Sequence, residues 1–210
     1  MKFVYLIICL LIIIGIVLNF PKKKGFKIGI FGSVSKKIEP NSNLYNNIVY
    51  LAKNLPKNRE YILPNAKSGV VGLILNELDE GMNDKVITYG SYFFKEQYIN
   101  RNYKVIMKKT VIEYEQGMLG NSDIYIFLPG GIGSLFEFLT SLFLMIEKVN
   151  NKPIFIGNID GFYDPVLKYI YDLEKKGYLR KAVHQKIKDK VKVFNNTKDL
   201  IKELENQGFN

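Results

Sequence analysis

Leu128-Pro129-Gly130-Gly131-Ile132-Gly133-Ser134-Leu135-Phe136-Glu137 decides the fold. Ile124 to Phe127, just before it, is a short apolar run of the kind that forms a buried strand. Leu135 to Ile146, after it, is apolar almost without interruption, as in a buried helix. The stretch between is therefore the turn of a strand–turn–helix unit. Glycines let the backbone approach a ligand closely. The free amides at the helix start then make an anion site, which the helix dipole reinforces. Gly130, Gly131, Gly133 and Ser134 are the expected phosphate-holding residues. Ser134 and Glu137 also have the S-x-x-E spacing of a helix capping box, which would account for both without any chemistry.

Upstream, Lys27 to Phe31 reads as a first strand ending in a small-residue turn, Gly32-Ser33-Val34-Ser35. Leu44, Ile48, Leu51 and Leu55 recur at helical spacing. Tyr61 to Leu63 is a second strand. The loop Ala66 to Gly72 follows, then a helix to about Glu80. Val86 to Thr88 and Tyr103 to Met107 are two more strands. They flank an aperiodic aromatic stretch, Gly90 to Asn102, expected to be a loop or lid. Its tyrosines and phenylalanines could stack on a base, or could serve as core or dimer surface. Thr110 to Gly120 is a helix leading into the opening turn.

Downstream come a strand at Pro153 to Ile156, a turn at Asn158 to Gly161 and a helix marked by Phe162, Val166, Ile170 and Leu173. The lone histidine, His184, falls in a lysine-rich stretch and reads as surface. A last strand, Val191 to Phe194, and a helix capped at Asn196-Thr197 end the pattern. Strands alternating with helices predict a Rossmann-like, doubly wound parallel sheet with helices on both faces. Ligands of such sheets sit beyond the carboxyl ends of the strands, where all three glycine-bearing turns can converge.

The formal net charge is +10, almost all of it lysine, and arginine occurs only at Arg59, Arg101 and Arg180. No arginine-rich or aromatic-basic stripe is visible, so a nucleic-acid partner is not expected. Cys9 is the only cysteine, which rules out an internal disulfide or a cysteine-based metal site. Phe3 to Phe20 is apolar apart from Gly15 and Asn19, about 18 residues long, near the minimum for crossing a bilayer core. It ends without the small-residue pair of a signal cleavage site. Residues 1–24 are thus expected to be a single transmembrane anchor with a basic flank, and 25–210 the globular domain. Lys22, Lys23, Lys24 and Lys27 follow the apolar run, against Lys2 and the amino terminus before it, a bias that favours a cytosolic side for the domain.

With these elements in place, Pro129 to Glu137 resembles the P-G-G-x-G-T-x-x-E signature of the LOG (Lonely Guy) family of nucleoside 5′-monophosphate phosphoribohydrolases. Ile30 to Ser33, Ser68 to Ile74 and Asn158 to Tyr163 are similar to further family segments, in the same order. The resemblance implies that the domain releases a purine base and ribose 5-phosphate from a purine nucleoside monophosphate, as a homodimer, without a metal or other cofactor. It implies a catalytic Glu137 near the ribose, with Gly32, Ser33, Gly69, Gly130, Gly131, Gly133 and Ser134 around the nucleotide. Two departures stand out. Lys67 and Ser68 replace glycines of the second motif. Tyr114 and Glu115 occupy the positions of the family's arginine and lysine. Tyr114 carries no charge at neutral pH, and Glu113 and Glu115 would oppose a phosphate if they faced it. The alternative implied is a catalytically inactive, membrane-tethered domain that binds or senses a nucleotide.

Overall fold

A computed structural model describes residues 26–35, 37–99 and 102–206. The expected anchor, residues 1–24, lies outside the described residues. Among the described residues, no helix is long and apolar enough to cross a membrane.

Seven parallel strands form one sheet: β1 Lys27–Phe31, β2 Glu60–Pro64, β3 Val86–Ser91, β4 Lys104–Lys108, β5 Ile124–Phe127, β6 Ile154–Gly157 and β7 Val191–Phe194, in the order β4-β3-β2-β1-β5-β6-β7. The helices are α1 Asn43–Asn54, α2 Gly69–Glu77, α3 Val111–Asn121, α4 Ile132–Ile146, α5 Asp164–Lys175, α6 Lys181–Lys190 and α7 Thr197–Asn206. The chain starts at the centre with β1, winds outward to β4, then returns through α3 to the other side of β1 as β5. The winding therefore reverses between β1 and β5, which pair in register from Ile28↔Ile124 to Phe31↔Phe127. Such a reversal leaves a crevice at the carboxyl ends of the two strands, because the connections leave toward opposite faces.

The central strands are apolar on both faces because both are covered. Ile28, Ile30, Ile124 and Ile126 point to one side and pack with Ile48 and Leu51 of α1, Val71 and Ile74 of α2, and Leu200 of α7. Phe31, Tyr125 and Phe127 point to the other, against Met118 of α3, Phe138 and Leu142 of α4, and Ile170 of α5. The rings of Phe31 and Phe127 stack 4.9 Å apart, and Phe138 meets Phe127 edge-on at 5.4 Å. This aromatic layer, worth more than its buried area alone, forms a rigid floor under the crevice.

Four details differ from the sequence expectation. Helix α4 begins at Ile132, three residues before the apolar run. The stretch 90–102 is not one loop: β3 continues to Ser91 and a 3-10 turn spans Tyr92–Gln97. Helix α2 stops at Glu77, and a 3-10 turn at Glu80–Lys85 follows, capped by the Asp79 carboxylate accepting from Gly81 N at 3.0 Å. The lysine-rich stretch is itself a helix, α6, and His184 is not a surface residue. It is buried, with Nδ1 2.9 Å from the Glu174 carboxylate and its ring 5.3 Å from that of Tyr171 on α5. The lysines of α6 mask a narrow inner face made by Val183, His184 and Ile187.

Candidate functional site

The turns after β1 and β5 are joined before any ligand arrives. Leu128 N donates to Phe31 O at 2.8 Å and Ser33 N to Pro129 O at 3.1 Å. Ser33 also holds the start of α2: its Oγ accepts from Val70 N and its carbonyl from Val71 N, both at 3.1 Å. Ser68, at the cap position of α2, makes no cap bond and donates instead to Val34 O at 2.9 Å. The loss of leading glycines in this motif is therefore tolerable, because the cap comes from a different loop. Gly69 is the glycine that matters there. Its φ is +74°, and a Cβ would run into the Ser33 carbonyl. Gly69→Ala should destabilise the fold by about 1–3 kcal/mol through this strained conformation and clash, measured by urea unfolding; an unchanged midpoint would show that the loop relaxes freely.

In the opening turn, Gly131 is the N-cap of α4, and no side chain caps the helix. Ser134 is already inside the helix, so the S-x-x-E pattern does not form a capping box. The box forms on α3 instead, where Thr110 Oγ1 accepts from Glu113 N at 3.1 Å and Glu113 Oε2 accepts from Thr110 N at 3.3 Å. The first amides of α4 are left without helical carbonyl partners and remain available to an anion. A Cβ on Gly130 would overlap Ser134, so that glycine is needed for the turn to close. Cβ atoms on Gly131 and Gly133 would project into open space.

The crevice is a cavity of about 650 Å³. Gly32, Ser33, Gly130, Gly131, Gly133 and Ser134 all line it, and so do Glu137 and Tyr114. Gly69 does not: it packs behind Ser33 and supports the shape of the first turn. Tyr89, Phe94 and Tyr98 close one side, giving part of the aromatic stretch a place at the cavity. The Tyr98 hydroxyl donates to the Ser91 carbonyl. Asp160, in a left-handed conformation at φ 55°, lines the mouth, where its carboxylate accepts from Asn43 Nδ2 at 2.6 Å. Among the described residues, no lysine or arginine lines the cavity. Lys67 is exposed, and neither Lys108 nor Lys109 reaches in.

The two acids on α3 part company. Glu113 is exposed and occupied by the cap. Glu115 is buried, 8% exposed, lines the cavity, and has an Oε2 atom with no hydrogen-bond partner. Its carboxyl is in hydrogen-bond contact with that of Glu137, which is 4% exposed. Two carboxyls can bond in this way only if one holds a proton. Burial pushes Glu115 up to about 7, and the bond from Glu137 partly offsets that rise. Burial, then the charge of Glu115 and the hydrogen bond Glu137 donates to it, hold Glu137 well above the usual carboxylate range, so the shared proton rests on Glu137. Burial first, then the charges of Glu137 and Glu115, also raise the Tyr114 phenol well above its ordinary value. The site is thus an amide turn suited to an anion, with a proton-sharing acid pair one helical turn deeper and aromatic walls beside it.

These features define a doubly wound α/β protein with an anion turn and an acid pair at its switch point. The model of the family described as "Possible lysine decarboxylase" matches residues 60–204, and the chain belongs to this LOG family. Cytokinin riboside 5′-monophosphate phosphoribohydrolases are among its relatives. One from Oryza sativa subsp. japonica is 38% identical over 58 residues, covering 28% of this chain and 24% of the relative. One from Arabidopsis thaliana is 31% identical over 88 residues, covering 42% and 39%. Another from Arabidopsis thaliana is 27% identical over 137 residues, covering 64% and 53%. The chain therefore matches from a quarter to about half the length of these relatives. In shape, the molybdenum cofactor carrier protein from Chlamydomonas reinhardtii superposes with a TM-score of 0.61 at 14% identity, over 87% of this chain and 98% of that one. The molybdenum cofactor binding protein from Rippkaea orientalis does so with 0.60 at 15% identity, over 89% and 99%. At these identities the likeness is one of fold.

Proposed function

We propose that the domain is a nucleoside 5′-monophosphate phosphoribohydrolase, hydrolysing the N-glycosidic bond of a purine nucleotide to free base and ribose 5-phosphate. The observation that carries this reading is that Glu137 and the amide turn at 130–134 line the same cavity. A phosphate on the turn puts the ribose within reach of a carboxyl one helical turn further in. Positive charge that develops at C1′ as the bond breaks is stabilised by a carboxylate there. The full chain, in detergent, should release free base from AMP or isopentenyladenosine 5′-monophosphate, detected by chromatography. A second reading, nucleotide binding without turnover, is favoured by the uncharged, buried Tyr114 at the arginine position. It predicts calorimetric binding with no base released.

Two further parts of the reading concern assembly. Ile132, Phe136, Leu139 and Phe143 form one exposed apolar stripe along α4, with Phe143 60% exposed. Such a stripe on a single chain is an expected contact for a second copy. Phe143→Lys should convert a sedimenting dimer to monomer without loss of helix content; a wild-type chain that sediments only as monomer would contradict this. Residues 1–24 are proposed to tether the domain to a membrane with the cavity on the cytosolic side.

A further inference from the structure

The acid pair is more than the reaction's ribose side requires. Glu137 alone could stabilise the developing cation, yet Glu115 is turned into the same cavity, with an Oε2 that no group of the protein satisfies. A buried polar atom left unpartnered in a cavity wall is costly unless a ligand meets it. The other titratable groups facing the pair are Tyr114 and Tyr163, with Tyr98 facing Tyr114. Tyr98 donates to Ser91 O, and Tyr163 donates to Leu128 O at 2.8 Å, so neither hydroxyl proton is directed at the carboxyls. Asp160, at the mouth, is held by Asn43. The Tyr114 phenol lines the cavity as well, so its proton and the one shared by Glu115 and Glu137 are the two placed to reach a ligand, and of these the carboxyl is the stronger acid.

We propose that Glu115 is the proton donor to the leaving base, so that this arginine-less site cleaves its N-glycosidic bond with two carboxyls. The inference rests on the phosphoribohydrolase reading above. As the bond from C1′ to the base breaks, its electron pair leaves with the base, and the Glu115 proton passes to a ring nitrogen of that base. Glu137, as carboxylate, faces the positive charge at C1′. The oxygen of a water molecule then bonds to C1′, and the proton it sheds is taken by Glu137. The pair ends with its one proton on Glu137, which is also where that proton rests, since Glu137 donates to Glu115; its shift to Glu115 across that hydrogen bond readies the site for each turnover. An acid that titrates near neutrality is suited to this role, and burial places Glu115 there.

The test compares leaving groups. The full chain and its Glu115→Gln and Glu115→Asp variants are assayed on AMP and on ribose 5-phosphate carrying para-nitrophenol at C1, whose phenolate departs without a proton. Glu115→Gln should lose about 100-fold or more in kcat/KM on AMP and only a few-fold on the nitrophenyl compound. Wild-type turnover of AMP should fall at alkaline pH as the pair loses its shared proton. That limb should vanish in Glu115→Gln and persist in Glu115→Asp, which should recover part of the AMP activity. Circular dichroism confirms that the variants are folded. Equal losses on both substrates, or no loss on AMP, would overturn the role of Glu115 and leave the function standing. A wild-type chain that cleaves neither substrate would sink the function and this inference together.

Discussion

Glu115→Gln raises the thermal unfolding midpoint by about 5–10 °C near pH 8.5 and changes it little near pH 4. The reason is proton linkage. Glu115 titrates near 7 in the folded protein because it is buried, far above the ordinary carboxyl value of 4.5. A raised acid binds protons more tightly in the folded than in the unfolded chain. Its contribution is therefore fully present below the unfolded value and is lost as pH rises through about 7. Titration at about 7 rather than 4.5 sets an upper bound of about 3 kcal/mol on the cost of ionising Glu115 in place. Glutamine keeps the shape, needs no ionisation and removes that cost, so the gain appears only on the alkaline side. Calorimetric scans across pH check this. A variant less stable than wild type at alkaline pH would mean that the pair is held by a cation.

Glu137→Gln should reduce base release by about 100- to 1000-fold while nucleotide affinity changes only a few-fold. The phosphate is held by the amides at 130–134, which the substitution leaves in place, whereas the carboxylate opposite C1′ is needed only as charge develops. Glu137 is also buried against Glu115, and glutamine can still donate a hydrogen bond to that carboxyl, so the amide should not unfold α4. Calorimetry for binding and chromatography for free base separate the two quantities. A parallel loss of affinity and turnover would place Glu137 in ground-state binding instead.

The strand–turn–helix at 124–146 was legible because its signals are local: an apolar run, three glycines and a long apolar helix. The resemblance of the turns to family segments then pointed to the part of the cavity wall built after β1 and β5, since the doubly wound order brings those two turns together. Helix α6 was not legible, because four lysines outweigh Val183, His184 and Ile187, whose inward face appears only once α5 packs against it. Gly69 stands behind Ser33 rather than in the cavity wall, and a backbone need for positive φ looks the same in sequence as a need for close approach. The inward turn of Glu115 follows from the cap of α3. Thr110-x-x-Glu113 is itself a capping pattern, and it fixes the phase of α3. With Glu113 turned out to the cap, a residue two positions on lies roughly 200° around the helix and must point inward. The sequence alone could not add that the partner awaiting it is another acid.

The most direct measurement is a turnover assay of the full chain with AMP at saturating occupancy, beside Glu137→Gln at the same occupancy. The account predicts free adenine and ribose 5-phosphate in equal amounts from the wild type and almost none from the variant. Saturated wild type that releases no adenine, or a variant that releases as much, would contradict it.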